Sequence, residues 1–195
     1  MKRSALALLL LALSAAPSYA HLDPLAHGSL AAGLTHPLSG LDHVLAMVTV
    51  GLWAALLGGR AVWLVPAAFV VTMTVGFGAA LAGLPLLFVE PTILASVVVL
   101  GLLVAIAAPV PVNTGMAVVA AFALFHGYAH GGEMGSAGAL PYAAGFAAAT
   151  ALLHAAGAAM AIGLLHLLGD AHGRLAARVA GGLAVAGGVA LAISA

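Results

Sequence analysis

Six apolar runs, at residues 33–57, 61–83, 91–108, 113–132, 140–168 and 175–194, constrain this chain more than any other feature of its sequence. Each reaches the roughly 17 residues that a helical bilayer crossing needs. Hydrocarbon offers no hydrogen-bond partners, so the backbone of such a run must close its bonds within a helix or a sealed barrel. Barrel strands alternate in polarity over about 10 residues, and these runs do not. Only 5% of the residues are charged, against about 25% in a soluble domain. The sequence therefore predicts an all-α integral membrane protein with six transmembrane helices.

The first twenty residues differ in kind. Met1-Lys2-Arg3 is followed by an apolar stretch from Ala5 to about Ala16 and then Pro17-Ser18-Tyr19-Ala20, the order of a secretory signal peptide with small residues before the cut. The expectation is a cleaved signal peptide over 1–20 and a single six-helix transmembrane domain over 21–195, with the mature N-terminus periplasmic and the chain in a bacterial inner membrane. The joints between runs carry Gly, Pro or charge: Gly58-Gly59-Arg60, Gly83-Leu84-Pro85, Pro109-Val110-Pro111, Gly131-Gly132 to Pro141, and Gly169 to Arg174. An outside start puts Arg60, Arg174 and Arg178 on the cytoplasmic side, as the positive-inside rule requires. Small residues four apart, as at Ala180, Ala184 and Gly188, suit close helix packing in a bilayer.

Composition also excludes functions. Net charge is zero and there is no cysteine, so no nucleic-acid partner is indicated, and disulfides, thiolate metal sites and cysteine catalysis are ruled out. Neither a P-loop nor an H-E-x-x-H motif occurs, which leaves no sign of an ATPase or a zinc hydrolase, and the expectation is no enzyme.

Against this apolar background an ionisable side chain costs several kcal/mol at membrane depth and needs a partner or a purpose. The first run opens Thr35-His36-Pro37-Leu38-Ser39-Gly40-Leu41-Asp42-His43. Pro37 suits a first helical turn with Thr35 or His36 at the cap. On one continuous helix His36 and His43 would share a face, with Asp42 either a ligand or the group that sets the His43 tautomer. The fourth run carries His126, His130 and Glu133 at i, i+4 and i+7, one stripe of three donors. With alternating crossings, Asp42, His43 and His126 fall at the same depth, about 10 Å below the outer surface at 1.5 Å per residue. Glu90 opens the third run near that level, as a ligand or as an interfacial charge.

His154, near the middle of the fifth run, reads either as a relay or as a packed residue, and His166, with Asp170 and His172 at its cytoplasmic end, as a relay or a solvated helix end. His21 and His27 stand on the periplasmic approach. Phe69, Thr72 and Thr74, and the scattered methionines, read as packing or pore lining. Imidazole and carboxylate without thiolate suit nickel, cobalt or zinc and do not choose among them.

At these residues the sequence resembles the HupE/UreJ family of hydrogenase and urease accessory proteins, regarded as nickel permeases. The resemblance runs over essentially the whole chain. It is strongest from His36 through Asp42-His43 to Trp53-Ala54 and from Phe125 to Glu133. It implies that His36, Asp42 and His43 recognise the metal, and it favours Glu90, His130 and Glu133 as functional positions. It further implies transport of Ni2+ to supply hydrogenase or urease maturation, with a metallochaperone or that machinery as partner. Two rivals stay open: a membrane metal-binding accessory or sensor protein without transport, and a haem-binding electron carrier using His126 and His154.

Overall fold

The computed structural model describes residues 30–133 and 138–194, apart from the side chain of Glu133. The expected signal peptide, His21 and His27 lie outside the described residues. Every regular element among those residues is a helix: α1 (Leu30–Ser39), α2 (Leu41–Leu57), α3 (Ala61–Leu81), α4 (Val89–Ala105), α5 (Val112–Glu133) and α6 (Ala139–Ser194).

Length and composition qualify α3, residues Val112–Gly132 of α5, and α6 as bilayer crossings, and α1 with α2 qualifies as a pair bent by 89°. The 17-residue α4 spans about 26 Å, a little under the hydrocarbon thickness of about 30 Å. The 56-residue α6 is not one rod, because Gly169 takes φ 75° and ψ 165° inside it. Glycine reaches that backbone region without steric cost. The chain doubles back there, and a Cβ on Gly173 would stand 2.6 Å from the carbonyl oxygen of Leu164. Residues 139–168 form a first arm and 170–194 a second.

Close glycine contacts define which helices pair. A Cβ on Gly51 would meet the backbone oxygen of His154, and one on Gly157 that of Val48, so α2 lies directly on the first arm. Gly76 meets Leu124, and Gly127 meets the Met73 carbonyl, which sets α3 against α5. Gly181 meets Gly101 and Ala105, while Gly188 meets Val97 and Val98, so the second arm runs antiparallel to α4. Gly131 meets Phe77 and Ala80 one turn beyond the contact of Gly127 with Met73, so the order runs the same way on both helices and α3 is parallel to α5. Those directions are what alternating crossings demand. Of the expected small-residue stripe of the last run, Ala184 and Gly188 are buried here, while Ala180 is half-buried and Gly181 takes its place in the contact.

Between these pairs Met47, Trp53, Phe69, Met73, Leu100 and Phe146 are essentially inaccessible. The indole N–H of Trp53 donates to the Ala108 oxygen at 3.3 Å, tying the far end of α2 to the turn after α4.

One expectation needs correction. The first run is not a single helix beginning at Pro37. Leu30 is already helical, Pro37 lies inside α1, and the Thr35 hydroxyl donates to the Ala31 oxygen at 3.0 Å instead of capping. Helix α1 ends where the Ser39 hydroxyl donates back to the His36 oxygen at 2.6 Å. Gly40 then adopts an extended conformation, φ −102° and ψ 120°, and α2 leaves at a steep angle. His36 and His43 therefore do not share a helical face.

Candidate metal site

The bend at Gly40 does by tertiary structure what a shared face was expected to do. His36 from the end of α1 and His43 from the start of α2 both reach His130 on α5, with ring centroids 4.6 Å and 4.5 Å from it. His43 also meets His126 edge-on at 5.1 Å. Four imidazoles from three helices thus converge beside Asp42. His126 is fully buried and His130 nearly so. The His43 side chain keeps 12% of its accessibility and Asp42 keeps 21%, so the group opens outward through α2's first turn.

Proton bookkeeping orders this group. An ionised carboxylate only accepts, so Asp42 Oδ1, 3.0 Å from His43 Nδ1, holds the His43 proton on Nδ1. The lone pair of His43 then lies on Nε2. That nitrogen stands 2.6 Å from His130 Nε2, which acts as donor when His43 is neutral. The result is a continuous carboxylate–imidazole–imidazole chain joining α2 to α5. Asp42 also sits in the first turn of α2, where the helix dipole favours negative charge.

His126 is oriented separately. The Ser96 hydroxyl on α4 donates to the Ile93 oxygen at 2.6 Å and so spends its one proton. It accepts from His126 Nε2 at 2.9 Å, which leaves the His126 lone pair on Nδ1. That buried Nδ1 has no hydrogen-bond partner among the described residues. Such a nitrogen is costly unless something else occupies it.

Among the described residues no three His, Asp or Glu side chains stand in a ready chelating arrangement. The reason is visible in the pair His43 and His130. Two nitrogens bound to one ion at about 2.0–2.1 Å stand about 2.9–3.3 Å apart, whereas these are 2.6 Å apart and share a proton. Joint coordination requires that contact to widen by a few tenths of an ångström and His130 to move its proton.

The other anticipated residues fall elsewhere. Glu90 is exposed at the start of α4. It lines a surface groove with Pro91, Leu94 and Ala192, so equal depth did not bring it to the imidazoles. Glu133 ends α5 one turn beyond His130, with its side chain outside the described residues. His154 is buried on the first arm, while His166, Asp170 and His172 are exposed around the Gly169 break. Thr74 bonds its own helix at Val71.

Three groups were missed or undervalued by sequence reasoning. Ser96 is the one serine of the apolar α4 and lies a turn past Thr92, a signal that was available. Tyr142 and Phe146, four apart on the first arm, pack against His36 and His130 respectively. Phe69 contacts both His126, at 5.6 Å, and His154, at 5.0 Å.

Comparison with known proteins agrees in length and kind. The model of the family described as HupE / UreJ protein matches residues 8–191. Protein HupE of Rhizobium leguminosarum bv. viciae is 47% identical over 186 residues, which cover 94% of this chain and 95% of that protein. No solved structure matches.

Proposed function

The chain belongs to the HupE/UreJ family, and from that premise we propose that it is a six-span inner-membrane permease for nickel, with cobalt as the second candidate. The family is one of accessory membrane proteins, not enzymes. The cargo is the ion itself, delivered toward hydrogenase or urease maturation.

The observation that carries the reading is the hydrogen-bonded run from Asp42 through His43 to His130, joining two helices at a partly accessible point among apolar residues. A purely structural network at membrane depth would be simpler to build from apolar side chains, because polar groups there are expensive. Asp42 holds the His43 proton on Nδ1 and so aims its Nε2 lone pair, the part that an outer-shell carboxylate plays at metal sites. His43, His130 and the Nδ1 lone pair of His126 are then the nitrogen donors nearest one another, with His36 beside His130. Glu133, one turn along α5, is the proposed carboxylate at the mouth. Glu90 acts, on this reading, on the approach and not as a ligand of the same ion.

The six-span count rests on the bent pair α1–α2, on α3, α4 and α5, and on the two arms of α6. The alternating directions of the helices support it.

The test is uptake of radioactive nickel by cells without other nickel importers, comparing the parent with His43→Ala and His130→Ala at matched membrane abundance. Saturable uptake in the parent and its loss in both variants is expected. Absence of parental uptake of nickel, cobalt and zinc alike refutes the permease and leaves a metal-binding accessory protein without transport.

A further inference from the structure

His154 makes no use of its chemistry within the fold. It is 1% exposed on the first arm of α6, and neither ring nitrogen has a hydrogen-bond partner among the described residues. A buried polar group left unmatched is destabilising, and an apolar side chain at this position would avoid that.

The surroundings are not a sealed core. His154 lines a groove of about 360 Å³ together with Val62, Trp63, Pro66, Ala151 and Ala158. Proline has no N–H, so Pro66 inside α3 withholds the helix bond that the Val62 carbonyl would otherwise receive. An imidazole with two unmatched nitrogens and a residue whose carbonyl has lost its helix donor thus line the same groove. Both groups are donors of electron pairs, and the ligand they suit is a cation.

The position adds direction. Phe69, fully buried on α3, contacts His154 on one side of the sequence of rings and His126 on the other. The His126 ring belongs to the outer imidazole group through His43. His154 is therefore one aromatic ring removed from the outer site.

We propose that His154, assisted by the Val62 carbonyl, forms a second intramembrane station for a divalent cation, next in line after the His43/His126/His130 group and separated from it by Phe69. This deepens the permease reading and rests on it for the direction of travel. The alternative ligand for the groove, a neutral apolar molecule, would make no use of either unmatched group.

The experiment is equilibrium dialysis of the full-length protein in detergent against radioactive nickel, paired with uptake in cells. Two ions per chain are expected for the parent and one for His154→Leu, whose uptake falls at least tenfold although its first ion binds with unchanged affinity. His43→Ala/His130→Ala is expected to keep only the His154 ion. Equal stoichiometry in the parent and His154→Leu overturns the proposal. So does full uptake by His154→Leu. His154→Gln, with a monodisperse elution profile like the parent's, guards against misfolding and should also bind one ion. Pro66→Ala restores the donor to Val62 and should weaken the second ion, and an unchanged second affinity there removes the carbonyl from the station. Failure of the permease reading has a separate signature, which is no uptake by the parent whatever the stoichiometry.

Discussion

Whether Asp42 binds the ion directly or acts through His43 is decided by how much affinity its charge supplies. The proposed site gives the carboxylate the second role, on the ground of the 3.0 Å contact between Asp42 Oδ1 and His43 Nδ1. In Asp42→Asn the amide oxygen can still accept from Nδ1, so the His43 tautomer is kept, and what disappears is the negative charge. Outer-shell changes of this kind cost about 10–100-fold in metal affinity, equivalent to about 1.4–2.7 kcal/mol. Loss of a first ligand from a site with few donors should cost far more.

The assay is equilibrium binding of nickel to purified Asp42→Asn and Asp42→Ala proteins. Asp42→Asn is expected to bind about 10–100-fold more weakly than the parent, and Asp42→Ala weaker still, because nothing then fixes which His43 nitrogen holds the proton. Because the His43 side chain keeps 12% accessibility, its Nδ1–H can turn to water in Asp42→Ala, so the protein should stay folded. Unchanged affinity in Asp42→Asn refutes the orienting role. A loss beyond about a thousandfold, more than 4 kcal/mol, refutes it from the other side and makes Asp42 a ligand.

Further outcomes follow from the same geometry. Ser96→Ala leaves the His126 Nε2–H without its acceptor, a cost of about 1–3 kcal/mol. Reduced thermal stability in detergent and weaker nickel binding are expected, while Ser96→Thr keeps both near the parent. Gly127→Ala drives a Cβ into the Met73 carbonyl, and overpacking of this kind costs about 1–3 kcal/mol. Gly182→Ala meets nothing within 4 Å and should be neutral or slightly stabilising, so equal melting temperatures for the two variants would contradict the α3–α5 contact. Trp53→Phe removes the 3.3 Å bond to Ala108 and should cost about 1 kcal/mol without changing nickel affinity, because that bond lies at the opposite end of α2 from His43.

The helical runs were legible because a bilayer leaves the backbone only a narrow choice, and that constraint does not depend on which residues touch. The meeting of His43 with His126 and His130 was legible for a related reason. Counting residues from the helix ends gives depth, which sets His43 level with His126, and His130 follows one turn along the same face of α5. Glu90 shares that depth too and lies apart, because depth is one coordinate of three. Rotation about the helix axis and lateral position stay open when every face of a helix is apolar. Such a helix has no hydrophobic stripe to reveal its buried side.

The steep turn at Gly40 shows the same limit. Pro37 and Gly40 mark a place where a helix can break, but no local rule sets the angle. The packing of α1 does, since a Cβ on Gly33 would meet the Tyr142 backbone. The information missing from apolar periodicity was instead carried by glycine. In water a glycine inside a helix is mainly a loss of stability, whereas between membrane helices it is the residue that lets two backbones touch. Gly51 and Gly157 mark one interface, Gly76 and Gly127 a second, Gly101, Gly181 and Gly188 a third. The first interface sets His154 against α2 and the second sets His126 and His130 against α3. The positions of the imidazoles thus follow from where side chains are absent, and a substitution at Gly51 or Gly127 should disturb metal binding through the distance between helices, without touching a ligand.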